Sequence, residues 1–206
     1  MRIHLPCLGR SLPRAGVAVA ALVLSLLSPA SAGADTSPAP PGASAGAHHI
    51  SAPPAPTEYL GGSRMVSPSV VCASAHMQTI GWQQASCAGV GSVATVGLPG
   101  QGLRMEALSL SVVGSSFCAT AYLELRGWDT DWTCAGDYGA LVVGSTGQGL
   151  RLEAVGFGVQ TGRICGNAYV QDVGWQGWYC GDNGETNFAG TTGQGKRIEA
   201  LSFFVA

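Results

Sequence analysis

Trp82, Trp128 and Trp175 each follow a glycine, and each closes a run of alternating polar and aromatic side chains. The runs are Ser74, His76, Gln78; Thr120, Tyr122, Glu124; and Asn167, Tyr169, Gln171. An indole flanked by amide, carboxylate and phenol or imidazole groups suits a saccharide. The sugar's C–H face packs on the ring while its hydroxyls meet fixed donors and acceptors. Gln83, Asp129 and Gln176 follow the tryptophans directly and add a further polar group. A tryptophan recurring once per unit would equally fill a threefold core, and a bulge at the preceding glycine would invert the parity, so both readings stand. Trp132 and Trp178 differ: each stands two residues before a cysteine, where the first unit has Ala85. A symmetric core tolerates such a loss poorly, at about 3–5 kcal/mol. Trp132 and Trp178 are therefore expected to be exposed, to carry the sharper expectation of ligand contact, and to leave the first unit the weakest binder.

Other chemistry is thinner. Arg104/Glu106, Arg151/Glu153 and Arg197/Glu199 recur two residues apart on one strand face, as a structural ring of ion pairs or as polar groups for a sugar. No enzyme assembles. His76 is the only histidine beyond residue 57, with Tyr122 and Tyr169 at its equivalent positions, so a nucleophile–histidine constellation would hinge on it alone. The recurring glutamates are unlike a unique catalytic carboxylate pair. No metal or cofactor is expected: the short spacings of structural zinc sites are missing, and Asp137 and Asp182 read as turn residues. With Arg2, Arg10 and Arg14 in a leader, Lys+Arg falls from 10 to 7 against 12 Asp+Glu. The basic footprint that nucleic acid requires is missing.

These groups must be positioned by a repeated element. The three Gly-Trp pairs recur at intervals of 46 and 47 residues, each followed by Gly-Gln-Gly at 100–102, 147–149 and 193–195. A fixed period of this size means one supersecondary unit copied, each copy too small to bury its apolar face alone. The units span about 70–113, 114–160 and 161–206. Six cysteines fall two per unit, the first always ten residues before the tryptophan. A repeated unit favours a repeated pairing: Cys72–Cys87, Cys118–Cys134 and Cys165–Cys180. Glycine-rich turns and period-two alternation predict strands. In the second unit Phe117, Ala119, Ala121, Leu123 and Leu125 form the apolar face. The fold class is all-β: about twelve short strands in a pseudo-threefold arrangement of three ~46-residue repeats, as a β-trefoil or a β-prism.

The N-terminus reads as a secretory signal peptide over 1–34: a basic start, an apolar run from Ala15 to Leu27, then Ala-x-Ala cleavage options. A Pro/Ala/Ser/Gly linker, expected to be disordered, fills 35–58, and 59–206 is the all-β domain. Secretion, with no membrane contact after cleavage, is the expectation.

The runs Ala75-His76-Met77-Gln78…Gly81-Trp82-Gln83 and Ala168-Tyr169-Val170-Gln171…Gly174-Trp175-Gln176 resemble the ChW repeat, the clostridial hydrophobic repeat with a conserved tryptophan. So does Ala189-Gly190-Thr191-Thr192-Gly193-Gln194…Arg197-Ile198-Glu199-Ala200-Leu201. The likeness covers all three units. It implies an extracellular, non-catalytic module for adhesion or for binding polysaccharides and surface proteins. Leu98-Pro99 in place of Thr191-Thr192, and the cysteine pairs, depart from that pattern. The functional expectation is a secreted module binding a polysaccharide or cell-surface glycan, through Trp132 and Trp178, Trp82, Trp128 and Trp175, His76, Tyr122, Tyr169, Gln78, Glu124 and Gln171. The alternatives are a protein-interaction or adhesion module, and a hydrolase or hydrolase inhibitor.

Overall fold

The computed structural model describes residues 67–206, so the expected leader at 1–34 and linker at 35–58 lie outside the described residues. Fifteen strands and no helix occur among them. The first unit contributes β1 (Val70–Met77), β2 (Gly81–Trp82), β3 (Ser86–Gly89), β4 (Ala94–Gly97) and β5 (Met105–Val113). The second contributes β6 (Phe117–Leu123), β7 (Gly127–Trp128), β8 (Thr133–Ala135), β9 (Ala140–Gly144) and β10 (Leu152–Val159). The third contributes β11 (Arg163–Val170), β12 (Gly174–Trp175), β13 (Tyr179–Asp182), β14 (Thr186–Gly190) and β15 (Ile198–Val205). The count exceeds the expected twelve because each Gly-Trp pair forms its own two-residue strand, too short to leave a periodic trace.

The parity expected from the sequence holds. Val71, Ala73, Ala75 and Met77 face the core, as do Phe117, Ala119, Ala121 and Leu123 in β6, and Ile164, Gly166, Ala168 and Val170 in β11. The alternation stops at Leu123: Leu125, expected on the apolar face, is 94% exposed at φ 63°, in the turn to β7. Thr79 and Asp172 hold the same left-handed position in the other turns. At the centre the rings of Phe157 and Phe203 meet edge-to-face at 5.6 Å. Gly166 makes the room, since a Cβ there would lie 2.6 Å from Phe157 Cζ.

Each of three antiparallel sheets is built on the first and last strands of one unit: β1 with β5, β6 with β10, β11 with β15. The fourth strand of each unit leaves its own sheet. β9 pairs with β5, β14 with β10, and β4 with β15. The exchange is cyclic, so the three units close on one another around the expected pseudo-threefold axis. Three separate sheets and no closed barrel select the prism-like alternative over the trefoil. The crossing requires glycine: Gly97, Gly144 and Gly190 have φ of 94°, 95° and 112°, and a Cβ on each would run into the backbone carbonyl of Glu199, Glu106 or Glu153 respectively. The three disulfides join Cys72–Cys87, Cys118–Cys134 and Cys165–Cys180, as the repeat implied. Each ties β1, β6 or β11 to the short strand beside it at directly opposed positions.

Candidate functional site

Every unit carries the same irregularity. His76 pairs with Ala107 while Met77 pairs with Met105, which leaves Glu106 as the extra residue of a β-bulge. Glu153 and Glu199 are bulged identically, between Leu152 and Ala154 and between Ile198 and Ala200. The bulge turns each glutamate inward to near-complete burial and frees its carbonyl for the exchanged strand. Ser145 N–H donates to Glu106 O at 2.9 Å, Thr191 N–H to Glu153 O at 2.7 Å, and Leu98 N–H to Glu199 O at 2.8 Å.

A buried carboxylate requires a partner, and the arginine two residues earlier supplies it. Arg104 Nε donates to Glu106 Oε1 at 3.0 Å, Arg151 Nε to Glu153 Oε1 at 2.8 Å, and Arg197 Nε to Glu199 Oε1 at 3.0 Å. Each arginine stays partly exposed and extends under the Gly-Gln-Gly loop of another unit. A Cβ on Gly149 would lie 3.4 Å from Arg104 Nη2, on Gly195 3.5 Å from Arg151, and on Gly102 3.6 Å from Arg197. Gly100 N–H also donates to Glu199 Oε2 at 2.8 Å. The ion pairs thus form within units and lock between them. The pairs are structural, but each closes within its own unit and not as a ring between units, and their guanidiniums stay partly exposed.

The aromatic groups come from the first two strands of each unit. Trp82 is the cross-strand neighbour of His76, Trp128 of Tyr122 and Trp175 of Tyr169. The rings meet edge-to-face at 5.3, 5.5 and 5.5 Å. Trp82 is 46% exposed and Trp175 42% exposed, while Trp128 is half-buried, so none of the three fills the core. His76 Nδ1 lies 3.2 Å from Glu106 Oε2. Gly100 and Gly193 lie so close to the Tyr169 and Tyr122 hydroxyls that a Cβ on either would be 3.5 or 3.8 Å away. Each seam therefore joins tryptophan, phenol or imidazole, and an Arg–Glu pair from one unit to a glycine loop from another. This composite was not legible in the sequence, because the loop that completes each seam comes from a different copy.

Gln78, Glu124 and Gln171 tie the seam through their backbone: their N–H groups donate to the Arg104, Arg151 and Arg197 carbonyls at 2.9, 3.0 and 3.0 Å. The Glu124 side chain also pairs with Arg151 Nη1 at 2.5 Å. Gln83 and Gln176 act as staples, accepting the Gly97 and Gly190 N–H at 2.7 and 2.8 Å. Asp129, at their equivalent position, keeps its proton more readily than a free carboxylate because burial outweighs the nearby Arg126. Asp137 Oδ1 accepts the Gly114 N–H at 2.6 Å, as a turn residue should, and Asp182 pairs with Arg163 at the surface.

The expectation for Trp132 is overturned. Trp132 is only 9% exposed, seated over Gly156, where a Cβ would lie 2.9 Å from its Cη2, and beside Phe188 at 6.2 Å. Trp178 is exposed as expected, at 43%, edge-on to Phe204 at 4.8 Å. Trp132 thus reaches the middle seam through Phe188, whose ring also meets Trp128 at 5.3 Å. The place that Ala85 holds in the first unit is covered differently in each unit: buried at Trp132 and exposed at Trp178.

No curated protein and no solved structure matches the chain. Residues 76–114 and 169–203, each running from the seam imidazole or phenol through the Gly-Trp pair and into the last strand, match the family model described as Clostridial hydrophobic W. The middle unit is not matched, although it folds alike. The first and third units of this chain are ChW repeats.

Proposed function

We propose that this is a secreted, non-catalytic module that binds glycans of a cell wall or cell surface at its inter-unit seams. The observation that carries the reading is the half-exposed indole of Trp82 and of Trp175, each held edge-on by His76 or Tyr169. Aromatic planes give a pyranose its stacking surface, and the Arg–Glu pair with the loop amides gives its hydroxyls oriented donors and acceptors. Several weak seams on one rigid body would gain avidity on a polymer. The ChW repeats are compatible with an extracellular binding module, and three disulfides favour an oxidising compartment. Among the described residues no helix is long and apolar enough to cross a membrane. No catalytic role is assigned, because the imidazole of His76 faces a carboxylate already paired with Arg104, and the six thiols of the domain are joined in disulfides.

A surface protein as partner is the second reading. Ile80 and Val173 stand half-exposed two residues before Trp82 and Trp175 and extend the apolar surface beyond each ring. Retention on insoluble cell wall, chitin and cellulose separates the two. Glycan binding predicts retention that falls to background in a folded Trp82→Ala, Trp175→Ala double variant. No retention on any polysaccharide would move the assignment to a protein partner.

A further inference from the structure

The three seams share a plan but differ in what stands beside the tryptophan. The exchanged strand of each unit places one outward side chain in register next to the seam it joins: Val142 opposite Ser109, Thr95 opposite Ser202, and Phe188 opposite Gly156. Val142 and Thr95 are exposed, and the tryptophans of their seams, Trp82 and Trp175, are exposed too. Phe188 instead lies against Trp128 at 5.3 Å and against Trp132 at 6.2 Å, and Trp128 is the least exposed of the three seam indoles. Gly156 makes this possible, since a Cβ there would stand 2.8 Å from the Phe188 ring.

The guanidinium of that seam is also held differently. Arg151 is held by two carboxylates, Glu124 at 2.5 Å and Glu153 at 2.8 Å. Glutamine stands at the equivalent of Glu124 in the other units, at Gln78 and Gln171. Arg104 and Arg197 each spend Nε and Nη2 on a single carboxylate, so only Arg151 is divided between two acids. Two independent features therefore distinguish the middle seam: its ring is covered and its arginine is shared by two carboxylates.

We infer that Phe188 is a built-in plug, and that the protein is a two-site binder whose working seams are those of Trp82 and Trp175. The inference rests on the glycan reading for what the open seams bind, but the plug can be tested without any ligand. N-bromosuccinimide oxidation, read indole by indole by peptide mass, should modify Trp82 and Trp175 well before Trp128. Phe188→Thr, which copies Thr95, should bring Trp128 up to the rate of the other two. Thr95→Phe combined with Ser202→Gly, the reciprocal change, should slow Trp175 alone. Equal rates in the native protein, or a Trp128 rate unmoved by Phe188→Thr in a protein that keeps its circular dichroism, would overturn the plug.

Calorimetric titration with chitotetraose, cellotetraose and soluble peptidoglycan fragments then reads stoichiometry. Two sites are expected in the native protein, three in Phe188→Thr and one in the Thr95→Phe, Ser202→Gly variant, with Trp128→Ala leaving two. A native stoichiometry lowered by Trp128→Ala would overturn the two-site inference. The expected oxidation pattern with no heat from any probe would overturn the glycan reading and leave the plug standing.

Discussion

Trp132 and Trp178 occupy equivalent positions, so one substitution made at both separates a buried anchor from a surface ring. Trp132 is only 9% exposed, over Gly156 and against Phe188, while Trp178 is 43% exposed on Phe204. A large aromatic side chain buries on the order of 200 Å², about 5 kcal/mol at 25 cal/mol/Å² as an upper bound. Trp132→Ala removes nearly all of that and leaves a hole between Phe188 and the sheet, so about 3–5 kcal/mol is expected. Trp178→Ala removes a little over half the contact and opens to water without a closed cavity, so about 2–3 kcal/mol is expected. Each kcal/mol moves the melting temperature of a domain this size by roughly 2–6 °C. Urea denaturation followed by circular dichroism, with scanning calorimetry as a check, measures both variants under oxidising conditions. Equal losses, or a larger loss for Trp178→Ala, would refute the burial argument and restore Trp132 as a surface contact.

Three further outcomes follow from the same architecture. Gly190→Ala places a Cβ at φ 112° against the Glu153 carbonyl and should destabilise by about 3–5 kcal/mol, whereas Gly147→Ala, at φ 73° with open space around it, should show only the left-handed backbone cost of about 1–2 kcal/mol; paired denaturation curves check this. Removing the third disulfide by Cys165→Ala with Cys180→Ala opens a loop of sequence separation 15 and should cost about 3 kcal/mol in urea. Burial raises the Asp129 carboxyl above its ordinary range, so its charged form is penalised in the folded state and the penalty fades as pH falls through the raised value. Asp129→Asn should therefore be more stable than the native protein at neutral pH and lose that advantage on acidification. An advantage that grew in acid would contradict the sign.

The period, the cysteine pairing and the inward parity of the long strands were legible because each is a local spacing rule that three copies state three times. The partner of each fourth strand was not. β4, β9 and β14 carry the same alternation whether they join their own sheet or another, and only the crossing glycines Gly97, Gly144 and Gly190 mark the place. Trp132 was misread for the same reason: its cover, Phe188, is 56 residues away on an exchanged strand of another unit. Leu125 was misassigned because a period-two pattern ran one step past the end of its strand, into a turn whose left-handed position accepts Thr79, Leu125 or Asp172. The bulges at Glu106, Glu153 and Glu199 change facing-strand register, which a single strand's pattern does not record.

In the proposed function, ligand meets the protein at the indoles of Trp82 and Trp175. The five tryptophans give five side-chain N–H resonances, assignable by single substitution. Titration with soluble fragments of whichever polysaccharide retains the protein should shift the Trp82 and Trp175 signals and leave Trp128 and Trp132 in place. Shifts confined to Trp178, or to Trp128 and Trp132, would contradict it.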